Sequence, residues 1–158
     1  MGAGEGTTGW SKLIRHDTTS ITADLFSVLL VLNTSSWEWE SLSPLREARE
    51  FHSCSSLLGQ IYCVGGDSIT GEVLSSTEIY SPDLNTWTRG PDLPRGLRYH
   101  QAVSHGDTLY VVGGQDNNQV FSLSPGEDQW TTLQNVSVTE SLRVVFPAVK
   151  VTKDLLFC

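Results

Sequence analysis

Three landmarks of unlike chemistry recur in this chain at one spacing, and that spacing limits what it can fold into more than any other feature. The offset is 100 − 52 = 48 from His52 to His100, 113 − 65 = 48 between the glycine pairs Gly65-Gly66 and Gly113-Gly114, and 87 − 39 = 48 from Trp39 to Trp87. One coincidence would carry little; an imidazole, a glycine pair and an indole sharing one offset mark an internal repeat. Periods of roughly 20 to 50 residues belong to solenoids, propellers and arrays. A recurring residue is therefore read first as part of the repeated unit and only then as chemistry.

Within a unit the pattern is that of short strands. Leu32, Tyr80 and Leu123 each stand seven residues before a tryptophan (Trp39, Trp87, Trp130), with the polar turns "NTSSWE", "SPDLNT" and "SPGEDQ" between them. Pro, Asp, Asn and Gly fix or satisfy the backbone locally, so each pair reads as a hairpin. The segments "QIYCVGG" and "TLYVVGG" are β-branched and aromatic, as strands buried on both faces are. Strands are expected at 51–57, 60–65, 74–81 and 86–90, then at 99–105, 108–113, 118–124 and 129–133. No stretch sustains a helical period. The interval from Gly66 to Trp87 is 87 − 66 = 21 and that from Gly114 to Trp130 is 130 − 114 = 16, so the second unit is shorter in the loop after the glycine pair. The expected organisation is a loose tail over 1–24, the end of one unit over 25–45, full units over 46–93 and 94–136, and a truncated unit over 137–158, where "AVKVTKDLLFC" resembles "AVSHGDTLYV".

Charge excludes some partners. The balance of 18 acidic against 10 basic residues gives −8 near neutral pH with no Lys/Arg cluster, so nucleic acid and anionic membrane are unfavourable partners. The longest apolar run, Leu25 to Leu32, is far too short to span a membrane and follows no basic leader, so it reads as a buried strand and the chain as cytoplasmic. The cysteines Cys54, Cys63 and Cys158 have no zinc-site or disulfide-scaffold spacing. Cys54 and Cys63 belong on neighbouring strands, where a bond between them is open; buried free thiols in a reducing compartment are the expectation.

The doubled glycines, Tyr62 and Tyr110 three residues before them, Tyr80 ahead of its turn, the spaced tryptophans, and the arginines of "PLREARE" and "LPRGLR" together resemble the kelch-repeat family from about Leu25 to Cys158. The resemblance implies an all-β fold: a partial kelch-type β-propeller, with about two complete four-stranded antiparallel blades and pieces of two more. In kelch substrate receptors, contacts come from the residue after the glycine pair, the one two further on, and an arginine shortly before the first strand. Here these positions are Asp67 and Ile69, Gln115 and Asn117, and Arg98 with Tyr99. Arg49 joins them as a binding candidate, while Arg46 and Arg95 are read equally as bracing or binding.

The recurrence of His52 and His100, and of the tryptophans, favours packing over ligation or stacking. No nucleophile elbow, phosphate loop or His-Glu-x-x-His motif occurs, and no metal or cofactor is expected. The resemblance thus implies a protein-interaction module without chemistry of its own, binding a peptide or loop of a substrate protein through its connecting loops. In this family that role often belongs to a cullin ubiquitin-ligase adaptor. An actin-binding scaffold and a fragment of a galactose-oxidase-like copper enzyme are the alternatives.

Overall fold

A computed structural model describes residues 27–33, 36–137, 149–151 and 154–156. The strands in order are β1 (Leu29–Asn33), β2 (Glu38–Leu42), β3 (Arg49–Glu50), β4 (Ser53–Leu57), β5 (Gln60–Val64), β6 (Asp67–Ser68) and β7 (Thr77–Ser81). They continue with β8 (Thr86–Arg89), β9 (His100–His105), β10 (Thr108–Gly113), β11 (Gln119–Leu123), β12 (Thr131–Ser137), β13 (Val149–Val151) and β14 (Asp154–Leu156). Two four-stranded antiparallel sheets, β4-β5-β7-β8 and β9-β10-β11-β12, form successive blades, with the hairpins β1-β2 and β13-β14 on either side in sequence. The described residues contain no helix, hence none able to cross a membrane. The tail expected over 1–24 lies outside the described residues.

The turns follow from their residues. Leu58 and Gly59, both at positive φ, close the two-residue loop between β4 and β5, a geometry that matches the twist of paired strands. Asn85, also at positive φ, turns β7 into β8, and its Oδ1 accepts from the Tyr80 hydroxyl at 2.8 Å and the Ser43 N–H at 2.9 Å.

Two apolar clusters hold the sheets. Leu57, Tyr62, Val64, Leu93, Leu97, Ala102, Leu109, Val111, Phe121, Leu123 and Trp130 fill the space between the blades. Leu29, Leu45, Cys63, Tyr80 and Trp87 join the first blade to the β1-β2 hairpin. A repeated polar latch accompanies this packing. The Trp87 indole N–H donates to the Ser43 carbonyl at 2.7 Å, and the Trp130 indole N–H donates to the Pro91 carbonyl at 3.0 Å. The two acceptors are themselves one repeat apart, since 91 − 43 = 48, and each stands just past the outer strand of the preceding sheet. Trp39, at the corresponding place on β2, is 45% exposed.

At the end of β5 the glycine pair is what lets blades meet. A Cβ on Gly65 would lie 2.5 Å from the Leu97 carbonyl oxygen and 2.8 Å from His100 Cε1. The Gly66 N–H bonds the Leu97 carbonyl at 2.8 Å, and His100 Nε2 lies 3.0 Å from the Val64 carbonyl. His100 is thus a structural wedge, with its Nε2–H donating to the neighbouring blade.

Cys54 and Cys63 correct an expectation: they form a disulfide, not free thiols. The β4–β5 register sets them directly opposite one another, with Cα atoms 4.1 Å apart. The sequence places them on neighbouring strands, and the two-residue turn fixes the register that sets them face to face.

Two outcomes follow from the crowding at the glycine pair. Gly65→Val should cost more than about 4 kcal/mol and unfold its blade. Gly59→Ala, equally left-handed but with open space around it, should cost only about 1 kcal/mol; equal losses of denaturation midpoint would contradict the crowding argument. Burial holds the His100 pKa down to about 4, helped by the Arg49 charge and opposed by the bond to Val64. Above pH of about 6.5 the ring is neutral folded or unfolded; as pH falls toward about 4 only the unfolded chain takes the proton, so stability is lost across that window. His100→Gln should flatten this slope in melting temperature against pH, and an unchanged slope would assign it to other groups.

Candidate functional site

The connections between blades and the loops after the glycine pairs converge on one face. Arg98, one residue before Tyr99 and two before β9, donates from NH1 to Asp67 Oδ2 at 2.7 Å and from Nε to Gln115 Oε1 at 2.8 Å. Asp67 and Gln115 each follow a glycine pair, so one guanidinium ties corresponding positions of successive blades. Its pKa is raised, first by the hydrogen bond to Asp67, so the charge is permanent.

Beside it, the Tyr99 ring lies 5.6 Å from the Arg98 guanidinium carbon and 4.6 Å from the Phe51 ring, centroid to centroid. Phe51 and Tyr99 occupy the same place in successive repeats, and both hold φ in the left-handed region, at 53° and 57°. Bulky side chains rarely accept that conformation, which costs about 1–3 kcal/mol each. The Tyr99 N–H bonds the Phe51 carbonyl at 3.1 Å and keeps the pair in place. A cleft of about 330 Å³ opens next to Arg98, lined by Val73, Arg95, Gly96, Gln115 and Asp116. Arg95 reaches the Asp116 carbonyl at 3.1 Å, and Gly96 lacks a Cβ where the Val73 carbonyl oxygen would stand 2.5 Å away. The arrangement offers guanidinium donors, an amide and two aromatic faces on a preformed surface, a set suited to a peptide backbone with side chains.

The structure brings four of the sequence-derived residues together here: Asp67, Arg98, Tyr99 and Gln115. Ile69 is 64% exposed on the loop leading away from Asp67. Arg49, Asn117 and Asp67 are corrected. Arg49 has 0% of its surface accessible, Asn117 2% and Asp67 4%, so none of them presents a side chain to a partner, and Asp67 acts only by holding Arg98. Arg49 pairs with buried Glu78 at 2.8 Å and donates to the carbonyls of Gly65 at 2.9 Å and Ser76 at 3.0 Å. Glu78 also accepts the backbone N–H groups of Arg46 and Glu47, which makes Arg46 a contributor through its backbone.

Asn117 performs the same service in the next blade. Its Nδ2 donates to the carbonyls of Gly113 and Gln119, both at 2.8 Å. These acceptors correspond to Gly65 and Ser76, at 113 − 65 = 48 and at 119 − 76 = 43, the second offset reduced by the shorter loop. The positions equivalent to Arg49 and Glu78 are Leu97 and Phe121, both buried in the inter-blade core. The step from Arg49 to Arg98 is 98 − 49 = 49, one off the period, and a one-residue slip turns a side chain to the opposite face. Sequence reasoning missed Phe51 and Asp116; the repeat offset between Phe51 and Tyr99 was the signal for the first.

Residues 19–158 match the family described as the KLHDC2/KLHL20/DRC7 Kelch-repeats domain. The chain is 37% identical over 95 residues to F-box/kelch-repeat protein At1g67480 of Arabidopsis thaliana, covering 60% of this chain and 24% of that one. To Kelch-like protein 33 of Homo sapiens it is 38% identical over 87 residues, 52% of this chain and 16% of that one. To alpha-scruin of Limulus polyphemus it is 24% identical over 110 residues, 63% and 12% respectively. The chain thus spans about a quarter or less of the length of these relatives. The solved structure of YjhT superposes with a TM-score of 0.62 at 18% identity, covering 72% of this chain and 46% of that one, a likeness of fold alone.

Arg49→Ala should cost about 3–5 kcal/mol, because it leaves the buried Glu78 carboxylate without its counter-charge and the Gly65 carbonyl without its donor. Arg49→Leu combined with Glu78→Phe, copying the Leu97/Phe121 solution, should be more stable than Arg49→Leu alone. Denaturant unfolding measures both, and an Arg49→Ala midpoint equal to wild type would contradict the bracing role.

Proposed function

The chain belongs to the kelch-repeat family, and on that premise we propose that it is a protein-interaction module, binding a peptide or loop of a partner protein on the face built around Arg98. The observation that carries this reading is the joint presence of a guanidinium fixed between two blades and two aromatic rings held in strained backbone beside an open cleft. Backbone strain of this kind clusters at sites that bind ligands. Arg95 and Tyr99 supply the contacts a partner would meet, and Asp67 and Gln115 position Arg98 rather than compete with it. The module works by recognition and not by catalysis, in keeping with relatives named for their kelch repeats.

We further propose that the recognition serves a cullin ubiquitin-ligase adaptor in the cytoplasm. The similarity to kelch-like proteins, and to a protein in which kelch repeats are named together with an F-box, supports that role. The test is capture of cytoplasmic partners by the chain as it stands, with Arg95→Ala and Tyr99→Ala beside Leu84→Ala, an exposed site on an outer turn. Partner capture should fall by about tenfold or more with the first two, the loss of a central contact, and stay unchanged with the third. A protein retained by all three variants would remove the face from consideration. A captured partner that is a ubiquitin-ligase substrate supports the adaptor, whereas co-sedimentation with actin filaments would replace it with a cytoskeletal scaffold.

A further inference from the structure

The disulfide sits in a cluster that has a second use. A ring nitrogen of His52 and the Sγ atoms of Cys54 and Cys63 all lie within 4.8 Å of one another. His52 stands two residues before Cys54, on the same side of the chain as it enters β4, and Cys63 faces Cys54 from β5. Cys63 is buried against Tyr80, Trp87, Leu29 and Leu45, while His52 and Cys54 keep part of their surface in solvent. We infer that, once the disulfide is reduced, His52, Cys54 and Cys63 form a three-ligand site for a soft divalent cation of the zinc class.

The repeat itself argues that these cysteines are not there for packing. The equivalent pair one repeat period later is Ala102 opposite Val111, also register partners. An alanine and a valine satisfy the fold at that place, so the fold requires neither sulfur. In the next blade His100 occupies the His52 position without sulfur neighbours, and its ring bonds the Val64 carbonyl. Two thiolates and one imidazole are the donor set zinc prefers, and three protein ligands leave a fourth position open to solvent. Metal–sulfur bonds of about 2.3 Å set neighbouring ligand atoms roughly 3.8 Å apart in a tetrahedron, within reach of directly opposed side chains by rotation about χ1.

Disulfide and cation exclude one another, because only the thiolate is a ligand. Reduction by two molecules of a small thiol of the glutathione class breaks the Cys54–Cys63 bond, forms the small thiol's own disulfide and leaves two protein thiols. Binding the cation then releases their two protons. The blade therefore carries either a covalent cross-link or a metal cross-link between β4 and β5, selected by the thiol potential around it.

The test uses the full chain reduced anaerobically with a phosphine, which takes up the oxygen of one water as the disulfide becomes two thiols, and Co²⁺ as the probe. The reduced wild type should develop a sulfur-to-cobalt charge-transfer band and tetrahedral visible bands that saturate at one equivalent and are displaced by Zn²⁺. Its melting temperature should also rise with Zn²⁺. The oxidised chain should show neither effect. The double variant Cys54→Ala, Cys63→Val copies the neighbouring blade, so it should fold while losing the bands although Cys158 remains. His52→Ala should weaken cobalt binding by about tenfold or more, at least what loss of an outer-shell partner costs. Absence of the bands in the reduced wild type, their persistence in the double variant, or unweakened binding by His52→Ala would each overturn the assignment.

Discussion

Everything in this structure depends on how closely the end of one blade's second strand can approach the next blade, and the paired glycine sets that distance. A side chain at Gly65 would strike the Leu97 carbonyl, so the approach is possible only without one. Such closeness removes water from the backbone at the end of β5, and the carbonyls of Gly65 and Ser76 are left needing donors from the protein itself. The same demand arises at Gly113 and Gln119. Much of the polar chemistry of the interior answers it.

The two blades answer in different ways. In the first, a guanidinium supplies the donors and brings a charge with it, so Glu78 must be buried as its counter-ion. In the second, the shorter loop lets a neutral amide reach both acceptors, and the space of the ion pair is given to Leu97 and Phe121. The exchange is self-consistent down to the backbone. Arg46 and Glu47 present N–H groups to Glu78, whereas Pro94, which takes the place of Arg46 in the next repeat, has no N–H to present. Buried ion pairs and apolar replacements are energetically close when each is complete, and strongly unfavourable when half of one is mixed with half of the other. The two solutions are therefore sets of residues rather than single preferences.

That is also why the sequence was legible in some places and opaque in others. Strand positions and turns follow from alternation and from Asn, Gly and Pro, and the expected strands match the observed ones to within a few residues at most ends. Asp67, Arg98, Tyr99 and Gln115 meet in one hydrogen-bonded and stacked group beside the cleft. Arg49 and Asn117 do not, because residue type says nothing about the direction of a side chain when its neighbour one position along points the other way. The cysteine bond was left open for a related reason: contact across a ladder is a matter of register, and register is fixed by a turn that the cysteines do not occupy.

The tryptophan latches have a direction. Trp87 and Trp130 each lie near the C-terminal end of their own sheet and reach back to a carbonyl that precedes that sheet in the chain. During synthesis the acceptor has therefore already left the ribosome when the indole emerges. Each blade can seal its outer rim against finished chain without waiting for what comes next, so an array of this kind can grow in the order in which it is translated.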